Sequence, residues 1–363
     1  MSTVKVGAIR GVSASSDAIT VASDGTCTAN ITNNLSNRNK VINGSMVCSQ
    51  RGSSFTATAD GTYTVDRFSH VVRGTFAGTY THSTDSPDEF KNSLKVVPTS
   101  TYTPTASDNA IISHKIEGQN IQDLAFGTSS AKKITVSFYA KTGSTNNGDQ
   151  FSFQLRAYTS ADGTTTKIQT RSFTATSSWQ RFTFSFVGDT AQTIFNTNAL
   201  GIDCMWHLAA GASDIQDAIT SWTTSGSFTA VTGQSNFLDN TSNEFYLTGV
   251  QFEVDQTGSG VATDFEHKSF AQELTLCQRY FQIVCGGMDT GTMTSGTGIG
   301  ASVTYPVTPR TTPTVTHLAS ITSNRTDTPF ANGVTINGFA AIAQSTSQGH
   351  PSFHSSFTVA AEL

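Results

Sequence analysis

Three tryptophans are the side chains of this sequence best suited to holding a sugar ring. Trp and Tyr rings pack against the C–H faces of sugars, while neighbouring amides and carboxylates bond the hydroxyl groups. Trp179 and Trp206 lie within alternating, strand-like patterns, and we predict that both are core residues. Trp222 lies in the polar stretch ITSWTTSGSF, where it either binds a ligand or anchors a long loop. Together with Tyr102, which lies in another polar loop, Trp222 is a candidate ligand-binding residue.

Acidic side chains form the second group, because glycoside hydrolysis requires two carboxyl groups about 5–10 Å apart across a cleft. The candidates are spread over predicted turns: Asp60, Asp66, Asp85, Asp88 and Glu89. No sequence pattern pairs two of them, and the chain lacks the repeats of a capsule-degrading β-solenoid. We therefore predict that the protein is not an enzyme, with an enzyme acting on surface glycans as the alternative.

Cofactor and metal motifs give no positive signal in the sequence. The glycine-rich segment 296–300 has no strand before it and no helix after it, so we predict a hairpin rather than a phosphate loop. His350 and His354 would lie about 13 Å apart along an extended segment, too far for one chain to chelate a metal with both. We predict no cofactor and no metal ion.

Composition excludes two classes of partner. Charged residues make up only 13% of the 363 residues, the net charge is −5, and the only basic pair of note is Lys132-Lys133. Nucleic acid therefore has no basic surface to bind. No apolar stretch approaches the about 18 residues that cross a membrane, and the first residues lack the apolar core of a secretory signal. We expect neither nucleic-acid binding nor membrane insertion.

The cysteines are odd in number and widely spaced, without a CxxC motif: Cys27, Cys48, Cys204, Cys277 and Cys285. We predict that they are small buried apolar residues of a chain made in a reducing cytoplasm.

The candidate aromatic and acidic side chains must be positioned mainly by strands. Short alternating segments, separated by clusters of Gly, Ser, Asn or Pro, predict about ten strands in the central region. They span residues 41–46, 67–76, 90–97, 110–116, 134–141, 151–158, 169–175, 181–187, 199–208 and 245–254. Their regular spacing favours a two-sheet sandwich, with a helical turn at 123–127. Further strands at 301–307, 314–318, 333–343 and 352–360 predict a smaller C-terminal β unit.

Residues 269–284 predict the one long helix. Ser269 stands three residues before Gln272, which is the spacing of a capping box. One apolar row, which we expect to be mostly buried, follows at helical spacing: Phe270, Leu274, Cys277 and Phe281. A second apolar row on a neighbouring face indicates that the helix joins a large domain before it to a small one after it.

Three stretches of the chain carry a family resemblance. They are NRNKVINGSMVCSQRGSSF with YTVDRF in 37–68, HKIEGQNIQDLAFGTSSAKKITVSFYAKT in 114–142, and VQFE followed by VATDFEHKSFAQELTLCQRYFQ in 250–282. Together they resemble, in the same order, the carbohydrate-binding-module-like domain of bacteriophage tail-fibre and related virion proteins.

The resemblance implies an all-β protein. Residues 37–265 would form a jelly-roll β-sandwich, 266–285 a connecting helix and 286–363 a C-terminal tip. Residues 1–36 have no aromatic residue and cannot bury a core, so we expect a short extended segment that attaches to other virion proteins and to copies of itself.

The resemblance also implies a function. The chain would be a non-catalytic tail-fibre or receptor-binding protein, a homotrimer that is assembled in the host cytoplasm and located on the virion. Weak sites on several chains would bind host cell-surface polysaccharide by avidity. The alternatives are a capsid- or tail-decorating fibre protein without a ligand, and a glycan-degrading tail spike.

A tip that faces the host would carry the receptor site in its polar loops. Short polar side chains on a flexible backbone suit the bonding of sugar hydroxyls, and loops commonly carry binding residues. The candidates in these loops are Arg325, Asp327, Gln348 and His350. Trp222 and Tyr102 provide the competing site in the jelly roll.

Overall fold

The computed structural model describes residues 6–12, 19–21, 23–25, 27–29, 37–160, 164–255 and 258–363. Strands dominate these ranges, which confirms the predicted all-β class. The N-terminal segment contains β1 (Ala8–Ile9), β2 (Ile19–Val21) and β3 (Cys27–Ala29). The strands of the central region are β4 (Ser54–Ala57), β5 (Thr62–Tyr63), β6 (Phe68–Arg73), β7 (Gly78–Ser83), β8 (Ser93–Pro98), β9 (Asn109–Glu117), β10 (Ile134–Thr142), β11 (Gln150–Tyr158), β12 (Thr166–Thr174), β13 (Gln180–Phe186), β14 (Leu200–Ala210), β15 (Ile215–Gln216), β16 (Thr223–Thr224), β17 (Ala230–Val231) and β18 (Phe245–Val254). The helix α1 (Phe270–Gln278) follows, and then β19 (Phe281–Asp289), β20 (Gly298–Thr304), β21 (Thr314–Asn324), β22 (Phe330–Asn332), β23 (Gly338–Gln344) and β24 (Ser352–Ala360).

The central region is a jelly-roll β-sandwich. One sheet has six strands in the order β13-β10-β18-β8-β7-β4, and the other has seven in the order β16-β12-β11-β14-β9-β6-β5. Alternate residues of both sheets point inward and fill the space between them, which is why the period-2 pattern located the strands. The largest buried side chains of this core are Phe68, Tyr80, Phe138, Phe151, Phe153, Phe186, Trp206, Phe237, Phe245 and Phe252.

Trp206 lies at the centre of this core. Its ring lies 5.5 Å from that of Phe138 and 5.1 Å from that of Phe153, centroid to centroid, in edge-on arrangements that aromatic pairs prefer. The prediction that Trp206 is a core residue is confirmed.

The strand predicted at 41–46 is wrong. This segment forms turns, in which Asn43 and Met46 adopt positive φ angles of 62° and 57°. The Asn43 side chain accepts a hydrogen bond from the Cys48 backbone N–H at 2.9 Å and donates one to the Cys48 carbonyl at 2.8 Å. Asn tolerates the left-handed region and can bond nearby backbone groups, so it favours a turn here over the strand that the weak alternation predicted. Similarly, the predicted turn at 123–127 is observed earlier, as a 3-10 helical segment at Gly118–Leu124.

The helix begins where its capping box predicted. The Ser269 side chain accepts from the Gln272 N–H, and the Gln272 side chain accepts from the Ser269 N–H at 3.0 Å. The predicted extent of 269–284 is wrong, however, because Phe281 begins strand β19, which pairs with β24 along its whole length. Phe270 is 60% exposed, contrary to the prediction, and Leu274 is only half-buried. Cys277 and Phe281 are buried as predicted.

The smaller C-terminal β unit consists of two three-stranded sheets, in the orders β19-β24-β21 and β20-β23-β22. A separate small core lies between them: Val284, Ile299, Val303, Phe339, Ala341, Ala343, Phe353, Phe357 and Val359. The fold class predicted from the sequence is therefore confirmed in both of its larger parts.

Buried charges lie where the C-terminal β unit meets the sandwich. Arg67 is 1% exposed, its guanidinium lies 3.5 Å from the centre of the Tyr280 ring, and it forms an ion pair with Glu362. Arg279 forms a second ion pair with Glu117, which is also buried. Both pairs join residues that are distant in sequence, so the two parts of the chain are held together by directional contacts.

The described residues of the N-terminal segment form a small antiparallel sheet, β1-β2-β3. The remainder of the predicted attachment segment 1–36 lies outside the described residues. Among the described residues, no helix has the length and apolarity that crossing a bilayer requires.

Candidate functional site

A groove of about 510 Å³ lies on the outer face of the six-stranded sheet. Its lining combines aromatic and acidic side chains: Ser86, Pro87, Asp88, Glu89, Tyr139 and Trp179. They come from the loop between β7 and β8, from β10, and from the turn before β13. This volume lies within the range of typical ligand pockets, about 300–1,000 Å³.

The sheet register decides which side chains line the groove. Phe138 of β10 points into the core, so the next residue, Tyr139, points outward. Tyr139 pairs with Arg181 of the neighbouring strand β13. Trp179 lies two residues before Arg181, immediately before the strand starts, and therefore lies beside the same outward-facing row.

Two contacts hold Trp179 in place. Its indole N–H donates to Asp85 Oδ1 at 3.0 Å, and Asp85 in turn forms an ion pair with Lys141. The Lys141 ammonium lies 5.4 Å from the Trp179 ring centre and 4.6 Å from the Tyr246 ring centre. Partial burial opposes the ionisation of Asp85, but the hydrogen bonds from Lys141 and Trp179 outweigh it and lower the pKa of this carboxyl. The indole is thus fixed by charged partners while remaining half-exposed.

Tyr139 forms the second aromatic wall and is supported from behind. Its ring lies 5.4 Å from that of the buried Phe90, which also contacts the Phe265 ring at 5.0 Å. Gly249 has a φ of +60°, and a Cβ atom there would lie 2.7 Å from Tyr139 Cδ2 and 2.8 Å from Phe90 Cζ. Only a glycine allows both rings to occupy these positions.

Asp88 and Glu89 form the rim of the groove and are both exposed. Within the described part of the chain, neither carboxylate makes a hydrogen bond or an ion pair. Glu89 has a φ of 72°, a left-handed conformation that is uncommon outside glycine. The rim therefore offers carboxylate oxygens that are available to accept hydrogen bonds from hydroxyl groups.

The charged and aromatic surface continues along the sheet from Trp179. The Trp179 and Tyr246 rings lie 6.0 Å apart, and the Tyr246 hydroxyl donates to Glu244 Oε2 at 2.9 Å. Lys95 pairs with the same carboxylate and lies 5.2 Å from the Tyr246 ring centre. A ligand longer than the groove would therefore meet further polar groups in this direction.

The structure does not bring Trp222 and Tyr102 together. The Trp222 indole N–H donates to the Val187 carbonyl at 2.7 Å, and its ring packs edge-on against Phe126 at 5.6 Å. These contacts favour the interpretation of Trp222 as a loop anchor. The Tyr102 hydroxyl donates to Asp108 at 2.6 Å. Both rings keep part of their surface exposed, and their role as ligand-binding residues stays a prediction.

The structure does bring together candidates of the C-terminal loops. Arg325 Nη1 donates to the Gln348 carbonyl at 2.8 Å and to Ser347 Oγ at 3.0 Å. Asp327 Oδ1 accepts from the Gln344 N–H at 2.7 Å, and His350 Nε2 lies 3.3 Å from Thr292 Oγ1. These groups are exposed but already hold the loops to each other, and their role in binding also stays a prediction.

The other predicted acids do not complete a catalytic pair in the groove. Asp60 accepts from the Val72 N–H at 3.0 Å, and Asp66 is buried, where it accepts from Gln50 and Arg51. Burial raises the pKa of Asp66 despite these bonds. In the described ranges no three His, Cys, Asp or Glu side chains lie close enough together to hold a metal ion.

Sequence reasoning missed the groove because it placed Trp179 in the core. The signal that distinguishes Trp179 from Trp206 is local: Trp179 follows Ser177-Ser178 in a turn, before the first paired residue of β13. This is the same kind of polar setting that singled out Trp222.

Comparison with known proteins adds little to this picture. No protein-family model and no curated protein matches the chain. Solved structures that match include the enzymatically active domain of bacteriophage CBA120 tailspike protein 4, at 11% identity and a TM-score of 0.29, over 60% of this chain and 21% of that one. They also include the family 11 carbohydrate-binding module of a Clostridium thermocellum cellulase (13%, 0.28, 56% and 96%) and a xylan-binding domain of carbohydrate-binding module family 22 (13%, 0.30, 58% and 98%). Similarity at this level assigns no function.

Proposed function

We propose that this chain is a receptor-binding structural protein of a bacteriophage particle, which adheres to host-surface glycans without cleaving them. The observation that carries the proposal is the groove walled by Trp179 and Tyr139 and rimmed by Asp88 and Glu89. The sequence resemblance of residues 37–284 to virion proteins supports the setting on a phage particle.

The groove has both kinds of contact that sugar recognition uses. A sugar ring can rest its C–H face on the half-exposed indole of Trp179, and its hydroxyls can donate to the Asp88 and Glu89 carboxylates. Because Asp85 and Lys141 already fix the indole, little side-chain freedom is lost when a ligand binds.

The arrangement favours binding over hydrolysis. Glycosidases place their two carboxyl groups on opposite sides of the scissile bond. Asp88 and Glu89 are consecutive residues of one loop, and the facing walls of the groove are aromatic. Among the side chains that line the groove, no third carboxyl group therefore stands across from Asp88 and Glu89.

A shallow groove on each chain suits adhesion by several weak sites. We expect a homotrimer on the virion, attached to other virion proteins through residues 1–36 and assembled in the host cytoplasm. Three linked grooves that bind a repeating surface polysaccharide would raise the overall affinity far above that of one groove.

Binding of the full chain to an array of bacterial surface polysaccharides tests the proposal. Trp179→Ala should weaken binding about tenfold or more by removing the aromatic platform, while the matched variant Trp222→Ala should retain it. Arg325→Ala reports on the C-terminal loops in the same assay.

Three results would overturn the proposal. Equal binding by the Trp179→Ala variant and the unchanged chain would remove the groove as the site. An unchanged chain that binds no glycan would indicate a decorating fibre protein without a ligand. Release of reducing sugar from a bound polysaccharide would indicate a glycan-degrading spike.

A further inference from the structure

Cys48 and Cys277 pack in one small buried cluster inside the protein. Their exposures are only 2% and 1%, and they belong to one buried cluster with Ile42 and Tyr280. We propose that this pair is an oxidation site, at which a small peroxide joins the two sulfurs in a disulfide that cross-links helix α1 to the sandwich.

The position of Cys48 is fixed by one asparagine. The Asn43 side chain bonds both the N–H and the carbonyl of Cys48, at 2.9 and 2.8 Å, and also donates to the Asp66 carbonyl at 2.9 Å. The backbone at Cys48 is thereby tied at two points, so its side chain has a defined direction.

The same asparagine ties this turn to the helix. The Asn43 backbone N–H donates to Glu273 Oε2 at 2.8 Å, across 230 residues of sequence. Glu273 and Cys277 are four residues apart on α1, so they lie on one face of the helix, and both are buried. The hydrogen bond from Asn43 to Glu273 therefore sets Cys277 opposite Cys48.

The two thiols differ from the other cysteines whose side chains the structure describes. Cys204 lies in the sandwich core, whereas Cys285 is exposed on β19, contrary to the prediction that the cysteines are buried. Of these cysteines, only Cys48 and Cys277 share one buried cluster. The neighbouring Cys48 thiol, together with burial, raises the pKa of Cys277. Oxidation at neutral pH should therefore be slower than at an exposed thiol.

The chemistry balances with one equivalent of hydrogen peroxide. One thiolate attacks the peroxide, the O–O bond breaks, and a sulfenic acid and hydroxide form. The second thiol then attacks the sulfenic sulfur, the S–O bond breaks, and the disulfide and water form. The two sulfurs lose two electrons and two protons in total, and the peroxide becomes two molecules of water.

The experiment uses the unchanged full chain. The folded protein is exposed to hydrogen peroxide at pH 8, remaining thiols are blocked with iodoacetamide under denaturing conditions, and trypsin peptides are analysed without reduction. The expected product joins peptide 41–51 to peptide 269–279 with the loss of two hydrogens, whether or not Met46 also gains an oxygen. The melting midpoint of the oxidised protein should rise by about 5 °C or more and return to its original value after treatment with dithiothreitol.

Variants sharpen the outcome. Cys285→Ser should leave the cross-link intact, and Cys277→Ser should abolish it. The proposal is overturned if the exposed Cys285 is fully oxidised while both peptides are recovered with alkylated cysteine. It is also overturned if Cys48 is found joined to a peptide other than 269–279. Neither result depends on the stability of a variant, because both are read in the unchanged chain.

Discussion

Arg279 and Glu117 form a two-point ion pair between the end of helix α1 and the end of strand β9. Arg279 Nε lies 3.0 Å from Glu117 Oε1, and Nη2 lies 2.9 Å from Oε2. The hydrogen bonds to Glu117, which outweigh partial burial, raise the pKa of Arg279. The Glu117 side chain has no exposed surface, whereas Arg279 keeps 29% of its own. The pair therefore fixes the direction in which the chain leaves the helix.

We expect Glu117→Gln to lower the free energy of unfolding by about 2 kcal/mol in urea titrations. Breaking a fully buried pair costs about 3–5 kcal/mol, and the contact of Arg279 with water reduces this figure. As a control, Lys40→Gln removes a pair with the exposed Asp123 and should cost less than about 1 kcal/mol. Equal effects of the two substitutions would contradict this ranking.

Glu362→Gln should be more damaging than Glu117→Gln. It removes the charged partner of Arg67, which is 1% exposed and also contacts the Tyr280 ring and the Lys115 carbonyl. An uncompensated buried guanidinium should cost about 3–5 kcal/mol in the same urea titration. Deletion of 286–363 would likewise remove Glu362 and leave Arg67 buried without its charged partner. Point variants are therefore the better probe of the C-terminal loops.

Gly249→Ala should disturb the groove from behind. Its Cβ would meet Tyr139 and Phe90 at a positive φ, so we expect a loss of about 1–3 kcal/mol in unfolding free energy. Polysaccharide binding should weaken as well, because Tyr139 must move. Gly61→Ala is the matched control, since Gly61 has a φ of +74° with open space around it. If the control variant loses polysaccharide binding to the same degree, backbone strain rather than the groove is responsible.

Acid should destabilise the fold from about pH 6.5 downward. Burial lowers the pKa of His70 to about 4 and those of His114 and His207 to about 3. Each group is protonated more readily when unfolded, so its contribution is complete above pH 6.5 and is lost as the pH falls toward the folded value. The loss at pH 5 is about 2 kcal/mol for each histidine.

Several buried acids work in the opposite direction, because burial raises the pKa of Asp66, Glu273 and Asp203. Burial raises the pKa of Asp203 to about 6, so protonation of Asp203 stabilises the folded state as the pH falls through 6. Its gain of about 1 kcal/mol at pH 5 is smaller than the combined loss at the three histidines. Urea titrations at pH 7.5, 6 and 5 should show a decline, and His114→Gln should make it shallower. An unchanged unfolding midpoint across this range would show that the histidines do not control acid stability.

Strand positions were largely predictable, because side-chain alternation directly reports a sheet with one buried face. The segment 245–254 was predicted to the residue for this reason. The helix was predicted too long because Phe281 fits both a helical row and a strand, and the pairing with Ala360 that decides between them is distant in sequence. The turn at Asn43 depends on bonds to Cys48 and Glu273, which no local pattern records.

The groove was less predictable than the fold. Its walls come from three separate segments, and Trp179, before β13, meets Asp85, in the loop between β7 and β8, across β10 and β18 of the six-stranded sheet. Sequence alone identified tryptophan as the relevant residue type but not which tryptophan is exposed. That distinction depends on whether the tryptophan lies inside a strand, and Trp179 lies one residue before the start of β13.

The charged contacts between the C-terminal β unit and the sandwich also determine how the protein transmits force. A flexible tether would stretch gradually under tension, with no sharp yield point. Here, pulling the two parts away from each other must hydrate Arg67 and Glu117 together, since both are buried at the same junction. The two parts should therefore stay rigidly joined up to a threshold load and then separate in one abrupt rupture.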